Sequence, residues 1–416
     1  MRIILVLFVF LFTSPCLQAQ KNVSMKKKLK QAYTAISKKR GQDDAERMLV
    51  DTLASMDLDV DIKAEGYYAC AMLQHSINEG LNMKAYLRQD LDTVKLYQTV
   101  LKIYEYTLLS DSFDIHRKYE KKNARLRTLH RKNVYGGGRF MLRKSKWDEA
   151  YSFFDMFLRT SMSDNDSILS KVSYWATVCG MNENNPWHVI KHVDTAIRLS
   201  KTAERAALTE YKARSYMQLG DSIQWLDILS KGVDEYPGYG YFYFNLMDYY
   251  QQHGMVEQGI LRTDSLMQVD EDRTMYWFAL SMFALEQEDY SKCIAMSDEC
   301  IRRDSSNVDA YYNKGISLLN MALAEKRASE RRQLYGMALE PMERVRELEP
   351  DNIDKWGNPL YRIYLNLNMG RKFEEIDRLL DQRYGEGLRQ DVDSAIVGKV
   401  GLIEESASFD KGLSDS

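Results

Sequence analysis

Through most of the chain, apolar residues recur at intervals of three and four, the spacing that lines one face of an α-helix. Tyr211, Ala213, Tyr216 and Leu219 form one such run, Gly220–Asp221 breaks it, and Trp225, Leu229 and Val233 resume it before Pro237. The pattern returns with Tyr243, Leu246, Tyr250, Gly254, Ile260 and Leu266. It returns again with Trp277, Leu280, Ala284, the turn Glu288–Asp289–Tyr290, Cys293 and Cys300. Gly220, Gly254 and Glu288 follow one another at intervals of 34 residues. A fixed period of that length marks an array of repeated units.

The period extends in both directions. Tyr311, Gly315 and the closing Leu348–Asn352 define a further unit, with about eleven extra residues around Ala324–Tyr335. Pro341 inside its second helix predicts a kink or a late helix start. Upstream, Val134–Thr160 has small residues at Gly137 and Gly138, a turn at Lys144–Trp147, then Ala150, Phe154 and Leu158. Ser170–Ser200 repeats this with Ala176, Gly180, a turn ending at Pro186, Val189, Val193 and Ala196. Weaker pairs cover Met25–Met56 and Val60–Ser110, and a last pair covers Asp354–Asp381 with Trp356, Tyr364, Gly370 and Leu379. Six prolines in 416 residues agree with a helical chain.

These residues resemble the tetratricopeptide (TPR) repeat, a 34-residue helix–turn–helix with aromatic, Leu, small and Pro positions at set offsets. The resemblance covers residues 25–382 and is strongest over 131–352. It implies an all-α fold, a right-handed superhelical solenoid of about nine helix–turn–helix pairs whose first helices line a concave groove. The predicted division is 1–19 as a signal peptide, 20–110 as degenerate helical pairs, 111–132 as a basic linker and 133–352 as the repeat array. A last pair follows at 353–383, and 384–416 holds a capping piece, Ala395–Ile403, and a polar tail.

Residues 1–19 have the layout of a secretory signal. Arg2 precedes ten apolar residues, Ile3–Phe12, and Thr13–Ser14–Pro15 and Ala19 follow. A span of the bilayer needs about 20 apolar residues, so cleavage after Ala19 is expected, with the chain exported to the periplasm and soluble there. Pro15 before Cys16 argues against a lipid-modified cysteine. Cleavage removes Arg2 and takes the formal net charge from −3 to −4, which excludes polyanion binding by bulk electrostatics. Cys70, Cys179, Cys293 and Cys300 remain. Cys293 and Cys300 lie about 10 Å apart along one helix, too far for a mutual disulfide, and apolar spacing predicts buried thiols.

No residue cluster points to chemistry. His188 and His192 share a helix face but lack the intervening acid of a zinc-protease motif and a third ligand, so a helix surface is the expectation. Gly136–Gly137–Gly138 lacks the Lys-Ser/Thr of a phosphate loop, and close helix packing accounts for it better. Arg117–Lys132 holds eight Lys/Arg and one acid, Glu120. That run suits an acidic partner or a solvated linker helix, and export argues against nucleic acid. No metal and no cofactor are expected.

The repeat register directs Tyr135, Arg139, Arg143, Tyr174, Arg214, Tyr241, Phe244, Asp248, Gln251, Phe278 and Tyr312 toward the groove. Aromatic and Arg side chains are the usual interface anchors, and packing between repeats is the competing role for each. The family's two-carboxylate clamp is not expected. In the 206–304 block only Asn245 matches it, while Glu210, Arg214, Met275 and Ala279 occupy its other positions. The reading is therefore a non-catalytic exported scaffold for a protein or peptide ligand, with peripheral contacts to envelope components. The alternatives are a self-assembling structural subunit, or a hydrolase with its site in the non-repeat segments. Mass spectrometry of the exported protein should find an N-terminal peptide beginning at Gln20. A chain retaining residues 1–19, or a lipid on Cys16, would contradict the cleavage assignment.

Overall fold

The computed structural model describes residues 2–160 and 168–384, with side chains from residue 20 onward apart from Thr202 and Tyr384. The expected cap at Ala395–Ile403 and the polar tail lie outside the described residues. Eighteen helices and no strand occur among the described residues, and the fold is an all-α, TPR-like solenoid. The chain divides into two compact units, Met1–Trp225 and Leu226–Ser416. In the first, α1 (Arg2–Lys38) pairs with α2 (Gln42–Ser55) and α3 (Val60–Tyr86) with α4 (Thr93–Phe113). Next come α5 (Glu120–Leu142) with α6 (Trp147–Arg159), α7 (Leu169–Asn182) with α8 (Pro186–Leu199), and then α9 (Thr202–Gln218). The division falls inside α10 (Ser222–Glu235). The second unit holds α11 (Gly240–Gln252) and α12 (Val256–Met267), and α13 (Thr274–Glu286) and α14 (Tyr290–Arg303). It ends with α15 (Val308–Ala324) and α16 (Ala328–Leu348), and α17 (Ile353–Leu367) and α18 (Gly370–Tyr384).

The 34-residue marker is a backbone conformation. Gly220, Gly254 and Glu288 all have left-handed φ, at 75°, 66° and 59°. In each case the next N–H reaches back to a carbonyl of the first helix: Asp221 to Tyr216 (3.0 Å), Met255 to Tyr250 (2.7 Å) and Asp289 to Ala284 (2.9 Å). This six-to-one bond closes the helix and turns the chain into its partner. Ser145, Asn184 and Asn368 do the same where the sequence has no glycine, with Lys146 bonding Met141, Asn185 bonding Gly180, and Met369 bonding Tyr364. Side-chain caps then start the second helices at three of these turns, with Asp221 accepting from the Gln224 N–H at 3.1 Å. Asn185 accepts from the His188 N–H and Asp289 from the Lys292 N–H.

Packing between paired helices depends on missing side chains. A Cβ on Gly137 would lie 2.6 Å from the Phe153 ring, and one on Gly138 would lie 2.5 Å from the Phe154 ring. The small positions expected from the repeat are thus occupied by rings of α6. In the first unit these rings join Val100, Val134, Met141, Val172 and Ala176 in a continuous core. In the second, Tyr311, Ile316, Leu319, Met342, Trp356 and Ile363 form another.

Several expectations need correction. Residues 111–132 are not a linker: α4 runs to Phe113 and α5 begins at Glu120. Two acids upstream of the basic run explain this. Asp114 accepts from the backbone N–H groups of Lys118 (2.9 Å), Tyr119 (2.5 Å) and Glu120 (3.1 Å). Asp111 accepts from Asn123 and from Arg127, each at 2.7 Å. Nor does Pro341 delay its helix. The 21-residue α16 starts at Ala328 and carries Pro341 buried within it, absorbing most of the extra residues. Buried Tyr335, Ala338, Met342 and Val345 hold the helix against the second core, which outweighs one missing backbone hydrogen bond. Cys70, Cys179, Cys293 and Cys300 are buried thiols outside any disulfide, as the spacing predicts for Cys293 and Cys300.

Two glycine-to-alanine changes should diverge. At Gly180 a Cβ would meet the Val189 backbone nitrogen at 2.8 Å, so Gly180→Ala must push α7 and α8 apart and lose about 1–3 kcal/mol. Gly336 in α16 has nothing within 4 Å, so Gly336→Ala should gain about 1 kcal/mol from helix propensity. Urea unfolding of both variants checks the pair, and the same sign for both would refute this account.

Candidate interaction faces

Three of the expected groove residues follow one another at helical spacing on α5. Tyr135 is half-buried against Phe154 and Phe157, with ring centroids at 6.4 and 6.5 Å, while Arg139 and Arg143 are exposed. The Arg139 guanidinium lies 5.8 Å above the Tyr135 ring, a cation–π arrangement. On α7, Tyr174 is half-buried, edge-on to Trp175 at 5.3 Å. Burial, then Glu204, pushes its phenol above the usual value. On α9, Arg214 Nε donates to Glu210 at 2.6 Å.

In the second unit, α11 presents Tyr241, Phe244 and Gln251 half-buried. Asp248 on the same stripe is only 7% exposed. Its Oδ2 accepts from Gln252 at 2.7 Å, and its Oδ1 is buried with no hydrogen-bond partner among the described residues. Phe278 and Tyr312 are 6% and 8% exposed. For these two, interior packing, the competing role, is what the structure gives. Tyr312 also lies 5.8 Å beneath Lys355 Nζ. Phe278 sits on α13, whose residues from Phe278 to Ala284 are all buried, so the helix has no free stripe there.

The histidine pair on α8 is not a bare helix surface. His188 stacks on Tyr151 (centroids 3.6 Å, planes 6° apart), with Nδ1 2.7 Å from Glu183. His192 is buried and its Nε2 lies 2.9 Å from Asp155, which Lys191 also approaches at 2.5 Å. Burial alone would raise the Asp155 carboxyl, but hydrogen bonds from His192 and Lys191 outweigh it and hold the group at about 2. The two histidines thus bond to separate acids and tie α8 to α6 and to the end of α7. Among the described residues no group of three or more His, Cys, Asp or Glu is placed to share a metal ion. No described helix is long and apolar enough to cross a membrane.

One feature escaped the repeat-based reading. An open cavity of about 600 Å³ is lined by Lys26, Lys30, Tyr33, Thr34 and Lys38 of α1 and by Glu65 of α3. Its sequence signal was present: residues 20–42 contain eight Lys/Arg and no acid.

No protein-family model and no curated protein matches the chain. Solved structures similar to parts of it are TPR proteins. The C-terminal part of a TPR repeat-containing protein from Cytophaga hutchinsonii is 13% identical at TM-score 0.45, covering 62% of this chain and 98% of that one. A TPR repeat protein from Bacteroides fragilis is 13% identical at TM-score 0.28, covering 57% and 96%. YrrB, described as a TPR protein with an unusual peptide-binding site, is 15% identical at TM-score 0.26, covering 53% and 87%.

The Asp155 site makes a pH prediction. A carboxyl held below its unfolded value contributes stability above that value and loses it as the pH falls through the folded one. Asp155→Asn should therefore lower unfolding free energy by about 2 kcal/mol at neutral pH. The gap to the parent chain should close between about pH 4 and about pH 2. Urea titrations across that range check it, and a gap independent of pH would contradict the assignment.

Proposed function

We propose that the protein is an exported scaffold that binds a polypeptide through the open faces of its first helices, without catalysis. The observation that carries this reading is the α5 stripe. Helix α5 packs against both α4 and α6, yet Tyr135 stays half-exposed and Arg139 and Arg143 stay open to solvent. An aromatic ring flanked by guanidinium groups buries apolar area and donates hydrogen bonds at once, which makes such residues effective anchors. The α11 stripe of Tyr241, Phe244 and Gln251 offers a second face of similar chemistry.

Two further points support binding over chemistry. Two acid–imidazole pairs, Asp155–His192 and Glu183–His188, are engaged in holding helices together. The start of α5, from which that stripe follows, is held by Asp111 and Asp114. Export to the periplasm rests on the apolar run Ile3–Phe12 and the break that follows it. Contacts with envelope components belong to the same reading.

The test is a pull-down from the native envelope fraction with the tagged chain, read by mass spectrometry. The variant is Tyr135→Ala, Arg139→Ala, Phe244→Ala. A stoichiometric partner should be recovered with the parent chain and fall at least about tenfold with the variant, while far-ultraviolet circular dichroism keeps its helical amplitude. Undiminished recovery by a folded variant would sink the face assignment. Phe278 is left out because it is core: Phe278→Ala would lose about 3–5 kcal/mol of stability instead.

A further inference from the structure

The lysine-lined cavity at the start of the first unit is a charge arrangement that folding does not use. Lys26, Leu29, Lys30, Tyr33, Thr34, Ser37 and Lys38 recur at steps of three and four, so they form one stripe along α1. The adjoining stripe, Met25, Leu29, Ala32 and Ile36, packs into the N-terminal core, so Leu29 borders both. Two neighbouring basic groups are partnered instead: Lys28 donates to Thr52 at 2.6 Å, and Lys39 pairs with Glu79 at 3.8 Å. Lys26, Lys30 and Lys38 are exposed and make no ion pair among the described residues. Among the described residues Glu65 is the one acid lining the cavity, against three lysines. Burial, then Glu65, pushes the Tyr33 phenol above its usual value, which keeps it a hydrogen-bond donor. Tyr68 and Tyr119 lie near Tyr33, and Lys122 sits over both of their rings at 5.5 and 5.3 Å. The basic start of α5 therefore adds positive charge to the same side.

Geometry selects the ligand. Lys26 and Lys30 stand about 6 Å apart along the helix axis and Lys38 about 12 Å further on. In an extended peptide, alternate side chains share one face at about 6.7 Å intervals. Carboxylates in the pattern Glu-x-Glu-x-x-x-Glu would then meet the three lysines in order.

We propose that this trough binds an extended acidic segment of a partner polypeptide, with acids spaced to match Lys26, Lys30 and Lys38. This rests on the binding reading above and names the chemistry of one of its ligands. The carboxylates are side chains within the segment, so a free C-terminus is not required. Glu65 sets an upper limit on charge density by repelling acids placed between the lysines.

The test is fluorescence anisotropy on the full chain with an acetylated, amidated peptide carrying Glu-x-Glu-x-x-x-Glu in a Ser/Gly background. The comparison is an isomer with the three glutamates adjacent. The spaced peptide should bind about tenfold tighter, and salt should weaken it. Each of Lys26→Gln, Lys30→Gln and Lys38→Gln should lose about three- to tenfold, and Glu65→Gln should gain several-fold. All four side chains lie at the surface or half-buried, so the variants should keep the fold, which circular dichroism verifies. Equal affinity for the two isomers, or indifference to the lysine variants, overturns the proposal. So does lysine-dependent binding to phosphatidylglycerol vesicles without binding to the spaced peptide. If the peptide fails while partner capture still depends on Tyr135 and Phe244, this proposal falls alone. If capture is also indifferent to those residues, the scaffold reading falls with it.

Discussion

The structure depends on how closely two helices can approach after a left-handed turn. Each such turn is closed by one backbone bond running back to the first helix, as from Asp221 to Tyr216 and from Met255 to Tyr250. That bond sets where the second helix starts, and the absence of a side chain on the first helix sets how near it lies. At Gly180 the neighbour is the Val189 backbone itself, and at Gly137 and Gly138 it is a pair of phenylalanine rings. Neither helix of such a pair could bury its apolar stripe alone. The core forms only when consecutive pairs stack, which is the logic of repeat proteins.

Charged residues carry a second layer of organisation. Acids placed before or beside a helix convert basic or imidazole groups from solvated charge into ties. Asp114 gathers three N–H groups at the start of α5, Asp111 holds Asn123 and Arg127, and Asp155 holds His192 and Lys191. Where acids of this kind are missing, positive charge stays available. In the basic part of α5 it is Arg127 that Asp111 ties down, while the three lysines of the α1 stripe have no such acid among the described residues. The distinction is invisible to a count of lysines and arginines, because it depends on whether an acid elsewhere in the chain folds back within reach.

The same distinction separates aromatic residues that anchor the fold from those open to a partner. Phe278 and Phe244 both sit on first helices of consecutive pairs, and the repeat register gives them similar directions. Phe278 is enclosed because α13 is apolar around its whole circumference. Phe244 stays half-buried on a helix whose stripe continues with half-buried Gln251. Helix composition around an aromatic, more than its repeat position, decides which role it takes.

The sequence by itself determined the all-α class, the repeat period, the turn positions and the small residues at close contacts. These are local matters: apolar spacing and left-handed turn chemistry act within some ten residues. It also determined that Cys293 and Cys300 would be buried thiols, since they fall on an apolar stripe. Only the tertiary structure decided that the basic run from Glu120 belongs to a packed repeat helix, that Pro341 is carried inside α16, that His192 is buried against Asp155, and that three lysines of α1 remain unpaired around a cavity. Each of these turns on a partner distant in the chain: Asp155 is 37 residues from His192, and Glu65 lies on a different helix from Lys30. Periodicity reports the face a residue occupies, but the group waiting on the other side of that face is set by which helices stack.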